Sequence, residues 1–290
     1  MPFVGLIMSD KIIYVSDLDG TLLRNDGTIS PYSRQKLIEL LDAGVNVTIA
    51  SARSIPSLKH VLNGIPFRLP VIEINGAFIT DFATGKHLIV NDIDNNTLED
   101  VYKYITAFNC LPFISAFDGE QDRLYYQSTP NKGMEWYLQD RINCKDDRLM
   151  QIDNLRETFF DHVVAFTVIN TRRQLINLAK KMKADFAGRL EMHFFENPYS
   201  PPWHWLTIHD KRSCKSHAAK ELLDLTGFTM DQMVVFGDNL NDVNMFKMAH
   251  KAIAVKNASD EIRHLAHEVI GTNEQDSVIK YILKKEGLLK

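Results

Sequence analysis

Ile12-Ile13-Tyr14-Val15-Ser16-Asp17-Leu18-Asp19-Gly20-Thr21-Leu22 is the stretch on which the reading of the fold turns. The short β-branched run Ile12 to Val15 gives way to the turn-prone Asp17-Leu18-Asp19-Gly20-Thr21, the pattern of a buried strand that delivers side chains at its carboxyl end. Ligands of open α/β sheets bind at such ends. Downstream, Ser30 and Pro31 form a helix N-cap and first position. Leu37, Leu40 and Leu41 carry helical spacing to Gly44 as the stop.

The rhythm repeats on both sides of a long interruption. Val45, Val47 and Ile49 predict a second strand ending at Ser51-Ala52-Arg53, followed by a helix with Leu58, Val61 and Leu62. A third strand, Val71 to Ile74, closes at the turn Asn75-Gly76. Strands alternating with helices predict a parallel sheet. From about residue 84 the texture changes to that of an inserted α+β unit. It has strand-like runs at Leu111 to Phe117, Leu124 to Gln127 and Val163 to Ile169, and helices at Lys132 to Arg141 and Arg172 to Met182. Asn197 to Pro202 punctuates its end, and Leu206-Thr207-Ile208 is expected to return the chain to the first unit. A helix from Ser216 to Leu225, a strand at Met233 to Phe236 ending in Gly237-Asp238, a helix through Val243 to Met248, a strand at Ala252 to Val255 and a closing helix complete the pattern. The expectation is an α/β protein with a discontinuous core, 1–83 plus 207–290, and an inserted α+β domain, 84–206.

Composition narrows the partners. The chain has 290 residues, 33 Lys plus Arg against 37 Asp plus Glu, and a formal charge of -4 without a basic stripe, so a small molecule is favoured over nucleic acid. No stretch approaches the roughly 20 apolar residues of a membrane span. The apolar start, Phe3 to Met8, lacks a basic flank and a cleavage site, and residues 1–7 read as an upstream extension from an alternative start. Cys110, Cys144 and Cys214 are widely spaced and fit reduced thiols in a cytoplasmic protein.

Asp17 and Asp19, separated by one residue at a strand end, suit phosphoryl transfer: one oxygen attacks phosphorus while the other group protonates the leaving oxygen and later deprotonates water. A turn would also favour Asp, Gly and Thr. Gly237-Asp238-Asn239 with Asn241-Asp242 is an acidic and amide cluster matched to Mg²⁺, although Asp and Asn are equally at home in a helix cap, and Asp242 suits that second use. The Ser51 hydroxyl and the isolated Lys215 are candidates to hold phosphate oxygens. Each alone reads as readily as a solvated cap or surface cation.

Taken in order, Asp17-Leu18-Asp19-Gly20-Thr21-Leu22, Ser51-Ala52-Arg53, Lys215 and Gly237-Asp238-Asn239-Leu240-Asn241-Asp242 resemble the four motifs of the haloacid dehalogenase superfamily. The first hexapeptide alone would arise by chance in a chain of this size about once in several thousand sequences. Asn75-Gly76-Ala77 and the long insertion resemble the Cof-type phosphatases, subclass IIB, with a C2-type cap. The resemblance implies a Rossmann-like core, Mg²⁺, and phosphatase activity on sugar phosphates or similar metabolites. It implies Asp17 as nucleophile and metal ligand, Asp19 as acid/base and metal ligand through its carbonyl, and Asp238 as the third ligand. Leu18, Ser51, Ala52, Lys215 and Asn241 would cradle the phosphoryl group, with Thr21 and Asp242 in support. Ala52 stands where glycine is common, and Lys256-Asn257-Ala258 where Gly-Asn-Ala is usual. The expectation for Lys256 is a side chain in solvent.

Trp203, His204 and Trp205, with Tyr199 and His209 nearby, sit where the insertion is expected to rejoin the core. They read either as contacts to the substrate's leaving group or as packing between domains, and tryptophan's usual burial favours packing. Phosphosugar mutases share the implied core and nucleophile, so a mutase or phosphotransferase is the nearest alternative to hydrolysis. A non-catalytic binding protein on the same fold is the other. All four motif residues Asp17, Asp19, Lys215 and Asp238 are present, which argues against the latter.

Overall fold

A computed structural model describes residues 12–197 and 200–289. The expected extension at residues 1–7, the start Phe3 to Met8, and Tyr199 lie outside the described residues. The chain divides into two compact units, one up to Ile89 and again from Cys214, the other Val90–Ser213.

In the first unit β1 (Ile13–Ser16) is buried along its whole length, the mark of a central strand covered on both faces. After α1 (Pro31–Asp42), whose N-cap Ser30 accepts the Ser33 amide at 2.9 Å, β2 (Asn46–Ile49) pairs parallel to β1. α2 (Ile55–Leu62) then leads to β3 (Val71–Glu73), β4 (Phe78–Thr80) and β5 (His87–Val90). β3 was expected as a full member of the parallel sheet. It instead opens a separate three-stranded sheet, β3-β4-β5, joined to the main one by a single parallel bridge, Ala50 to Ile72. The hairpin turn at Asn75-Gly76 reverses the chain before a longer parallel ladder can form.

The second unit holds α3 (Asn95–Ala107), β6 (Pro112–Phe117), β7 (Asp122–Tyr126), α4 (Lys132–Asn143), β8 (Leu149–Gln151), β9 (His162–Thr171), α5 (Arg172–Asp185), β10 (Leu190–Glu196) and β11 (Trp203–Asp210). Its sheet runs β10-β11-β9-β6-β7-β8, antiparallel except between β7 and β8. Leu206-Thr207-Ile208 therefore does not return to the core, contrary to expectation. It lies in β11, paired to both β9 and β10, and the units divide six residues later than expected at the first crossing and seven at the second, 89 against 83 and 213 against 206.

Alternation along β11 sends successive side chains to opposite faces. Leu206 and Ile208 join Leu98, Val101, Leu175 and Leu178 of α3 and α5, while Trp203 and Trp205 pack with Phe113, Ile169 and Met134, the last on α4. The α4 backbone comes so close that a Cβ on Gly133 would sit 2.6 Å from the Trp203 ring. The two tryptophans thus serve packing inside this unit. His204, beside them, bonds the Pro202 carbonyl through Nδ1 at 3.1 Å and tilts against Phe194.

His209, on the same strand, is 2% exposed, and its Nδ1 has no hydrogen-bond partner among the described residues. Burial, reinforced by the neighbouring His193, pushes its pKa down to about 3. In the unfolded chain the group titrates near its ordinary value of about 6.5. Between those values the unfolded chain binds the extra proton. Stability is therefore complete above about pH 6.5 and is lost as pH falls toward 3, by at most about 5 kcal/mol. The melting temperature of a His209→Phe protein should fall less than the wild type's between pH 7 and pH 4. Parallel slopes would refute this assignment.

The first unit resumes with α6 (Lys215–Thr226), ended by Gly227 in the left-handed region, then β12 (Met233–Gly237), α7 (Val243–Met248), β13 (Lys251–Ala254), α8 (Asp260–Leu265), β14 (Glu268–Val269) and α9 (Ser277–Lys285). The main sheet has the order β14-β13-β12-β1-β2 and every pairing in it is parallel. Among the described residues no helix is long and apolar enough to cross a membrane.

Candidate active site

The sheet order decides what meets at its carboxyl edge. β1 lies between β12 and β2 with Ser16 level with Phe236 and Ile49, so the residues following these strands emerge side by side. The Asp17 amide donates to the Phe236 carbonyl at 3.0 Å, and the Ala50 amide to Ser16 at 2.9 Å. Asp17, Gly237-Asp238 and Ser51 are thus delivered to one edge by three neighbouring strands.

Lys215, the first residue of α6, is 1% exposed. Its Nζ donates to Asp17 Oδ1 and, at 2.7 Å, to Asp242 Oδ1. Oδ2 of Asp242 accepts the amides of Asp238 and Asn239 at 3.1 and 3.2 Å. Asp242 therefore caps the loop after β12, the second of the two uses considered for it, and also clamps the lysine, a contact the sequence did not suggest. Asp17, Asp238 and Asp242 bring carboxylate oxygens within 4.8 Å of one another. Thr21 donates to Asp238 Oδ1 at 3.2 Å.

Three carboxylates share one ammonium, and the electrostatics register the imbalance. Burial holds the Asp17 carboxyl well above the usual carboxylate range, opposed by Lys215 and reinforced by Asp242 and Asp238. Burial and Asp242 push Asp238 up to about 6. For Lys215, burial alone would lower the pKa, but Asp17 and Asp242 more than reverse this and hold it above its ordinary value. A buried cluster with surplus negative charge and hard oxygen donors fits a divalent cation such as Mg²⁺.

The turn after Asp17 is shaped by its closeness to this cluster. Gly20 has φ 79°, and a Cβ there would sit 2.5 Å from Asp238 Oδ2. Only glycine fits. Its carbonyl accepts from Asn257 Nδ2 at 2.7 Å, the Asn273 amide donates to Asn257 Oδ1 at 3.0 Å, and Asn273 Nδ2 donates to Leu23 at 2.9 Å. Asn257 belongs to the segment where Lys256, exposed, replaces the usual glycine, and its part in fixing the turn was not anticipated.

Ser51 is fully buried and accepts the Arg53 amide at 3.1 Å, while Ala52 is exposed. Leu18 is fully buried, and Asn241 donates to the Asn75 side chain at 3.2 Å. Asp19 is not among the three clustered carboxylates. Its carboxylate takes both arms of Arg53, Nε at 2.8 Å and Nη2 at 2.6 Å. Trp203, His204 and Trp205 lie on β11 of the other unit.

A family model for haloacid dehalogenase-like hydrolases matches residues 14–282. The chain belongs to that family. Among curated relatives, the 5-amino-6-(5-phospho-D-ribitylamino)uracil phosphatase YitU of Bacillus subtilis is 24% identical over 270 residues, covering 92% of this chain and 94% of its own. The pyridoxal phosphate phosphatase YbhA of Escherichia coli is 24% identical over 283 residues, covering 95% and 98%. In fold the chain is similar to a solved subclass IIB sugar phosphatase of the superfamily, with TM-score 0.71 at 17% identity over 96% of this chain and all of that one. By family the protein is a haloacid dehalogenase-like hydrolase, and these curated relatives are named phosphatases.

Proposed function

We propose that this enzyme hydrolyses small phosphorylated metabolites in two steps through a phosphoryl group carried on Asp17. The observation that carries the reading is the buried Lys215 shared by Asp17 and Asp242 within an acidic surplus. An oxygen of Asp17 attacks phosphorus, the bond to the leaving oxygen breaks, and Asp19 gives that oxygen a proton. Asp19 then takes a proton from water as it attacks the aspartyl-phosphate, freeing inorganic phosphate and restoring Asp17.

Lys215, the Ser51 hydroxyl, the amides of Leu18 and Ala52, and Asn241 are assigned to the phosphoryl oxygens, where fixed donors offset developing charge. Asp17, Asp238 and the Asp19 carbonyl are assigned to Mg²⁺, which when bound neutralises the phosphoryl group and the nucleophile together. Thr21 and Asp242 support these groups by the hydrogen bonds described. The unit Val90–Ser213 is assigned as a C2-type cap that recognises the rest of the metabolite. Sugar phosphates, ribityl phosphates and phosphorylated pyridine vitamins are the substrate classes suggested by the relatives' names.

Phosphate release measured across such a panel with Mg²⁺ present tests the proposal. Steady turnover of at least one alkyl phosphate, with the phosphoryl group passing to water, is expected. No release from any member, or transfer to a second sugar's hydroxyl in place of water, would overturn it.

A further inference from the structure

Arg53 closes the Ser51-Ala52-Arg53 motif yet has no part in the chemistry above. Its guanidinium grips Asp19 with both arms, Nε to Oδ2 at 2.8 Å and Nη2 to Oδ1 at 2.6 Å, and its third nitrogen, Nη1, donates to Ser57 Oγ on α2 at 3.3 Å. The Arg53 backbone is fixed as well, with its amide on Ser51 Oγ at 3.1 Å and its carbonyl accepting from Ile74 at 3.0 Å. The side chains are 24% and 48% exposed, so as a plain ion pair this contact adds little to stability. What a planar two-armed contact supplies is direction. Asp19 otherwise sits on a turn set by Gly20, and none of its described contacts other than those to Arg53 fixes where its carboxylate faces.

We propose that Arg53 is the positioning residue of Asp19, setting the direction of the group that exchanges the proton with the leaving oxygen and with water. This rests on the two-step reading above. It makes the contribution of Arg53 depend on how much help the leaving group needs. A p-nitrophenolate departs with little protonation, whereas a sugar alkoxide requires it.

Phosphate release from p-nitrophenyl phosphate and from a hexose 6-phosphate, each at saturating Mg²⁺, separates the possibilities. Arg53→Ala is expected to lose at least tenfold more kcat/KM on the hexose ester than on the aryl ester. Arg53→Lys, which keeps the charge without the fork, should recover only part of the difference. Added to Asp19→Ala, Arg53→Ala should cause no further loss, because its effect runs through the missing carboxylate. A merely structural role, in which the loop bearing Ser51 slackens, would lower both esters by one common factor. It would also add fully to Asp19→Ala, and either result overturns the proposal. Should Arg53→Ala fail to fold, Arg53→Gln carries the same comparison. A wild type inactive on both esters would overturn the two-step reading itself, whereas equal losses in an active enzyme overturn the role of Arg53 alone.

Discussion

Stripping divalent cations with EDTA is expected to reduce phosphate release to background and Mg²⁺ to restore it, with the Asp238→Ala protein inert in both states. The reason lies in the charge count. At separations near 4.8 Å each pair of ionised carboxylates repels by about 3 to 4 kcal/mol at an effective dielectric of about 20. One ammonium cannot offset three ionised carboxylates, and a bound cation would supply the missing charge. A readout independent of turnover follows. Mg²⁺ at 100 times its dissociation constant should stabilise the wild type by about 2.7 kcal/mol and raise its melting temperature. Asp238→Ala should lose that rise while remaining folded. Since the Asp238 carboxyl without metal holds its proton up to about pH 6, the rise should shrink as pH falls through that value. Undiminished turnover in EDTA, or an equal Mg²⁺ shift in Asp238→Ala, would remove the basis for a metal at this cluster.

Asp17→Asn is expected to cost at least about 10⁴-fold in turnover and to yield no phosphoryl-protein adduct, since removing a nucleophile leaves only the contributions of binding and charge stabilisation. The fold should persist, because Lys215 keeps its 2.7 Å bond to Asp242. Asp19→Ala should fail differently. A substrate with a good leaving group still phosphorylates Asp17, and the adduct then accumulates because water has lost its base. Mass spectrometry after rapid quench distinguishes the two. An equally phosphorylated Asp17→Asn protein would sink the division of labour, as would an Asp19→Ala protein that never accumulates the adduct.

How much of this could be read before the structure depended on whether the signal was local. The strand into Asp17 was legible because four consecutive apolar or β-branched residues ending in Asp-x-Asp-Gly have few other uses. Ser30, Gly44 and Gly227 marked helix ends through chemistry confined to a turn or two. The return of the chain was misplaced at Leu206-Thr207-Ile208 because alternating apolar residues look the same in any sheet, and only the pairing of β11 with β9 and β10 assigns it. The grip of Arg53 on Asp19 and of Asn257 on Gly20 joins residues far apart in sequence. Nothing in composition or periodicity encodes a partner at that range. Trp203 and Trp205 were expected to pack between domains, whereas they pack against α4 within their own unit, which a small residue such as Gly133 betrays only in retrospect.

The strand leading into Asp17, the residue assigned as nucleophile, is bounded on one side by β12, a segment more than two hundred residues further along the chain. During synthesis every strand of the inserted sheet leaves the ribosome before β12 does. The insertion can therefore complete its own ladder while Asp17 still lacks the neighbour that orients it, since contacts close in sequence form before distant ones. The order of manufacture can thus follow the order of catalysis: the part assigned to choosing the substrate can be complete first, and the part assigned to cleaving it is completed only when β12 has emerged.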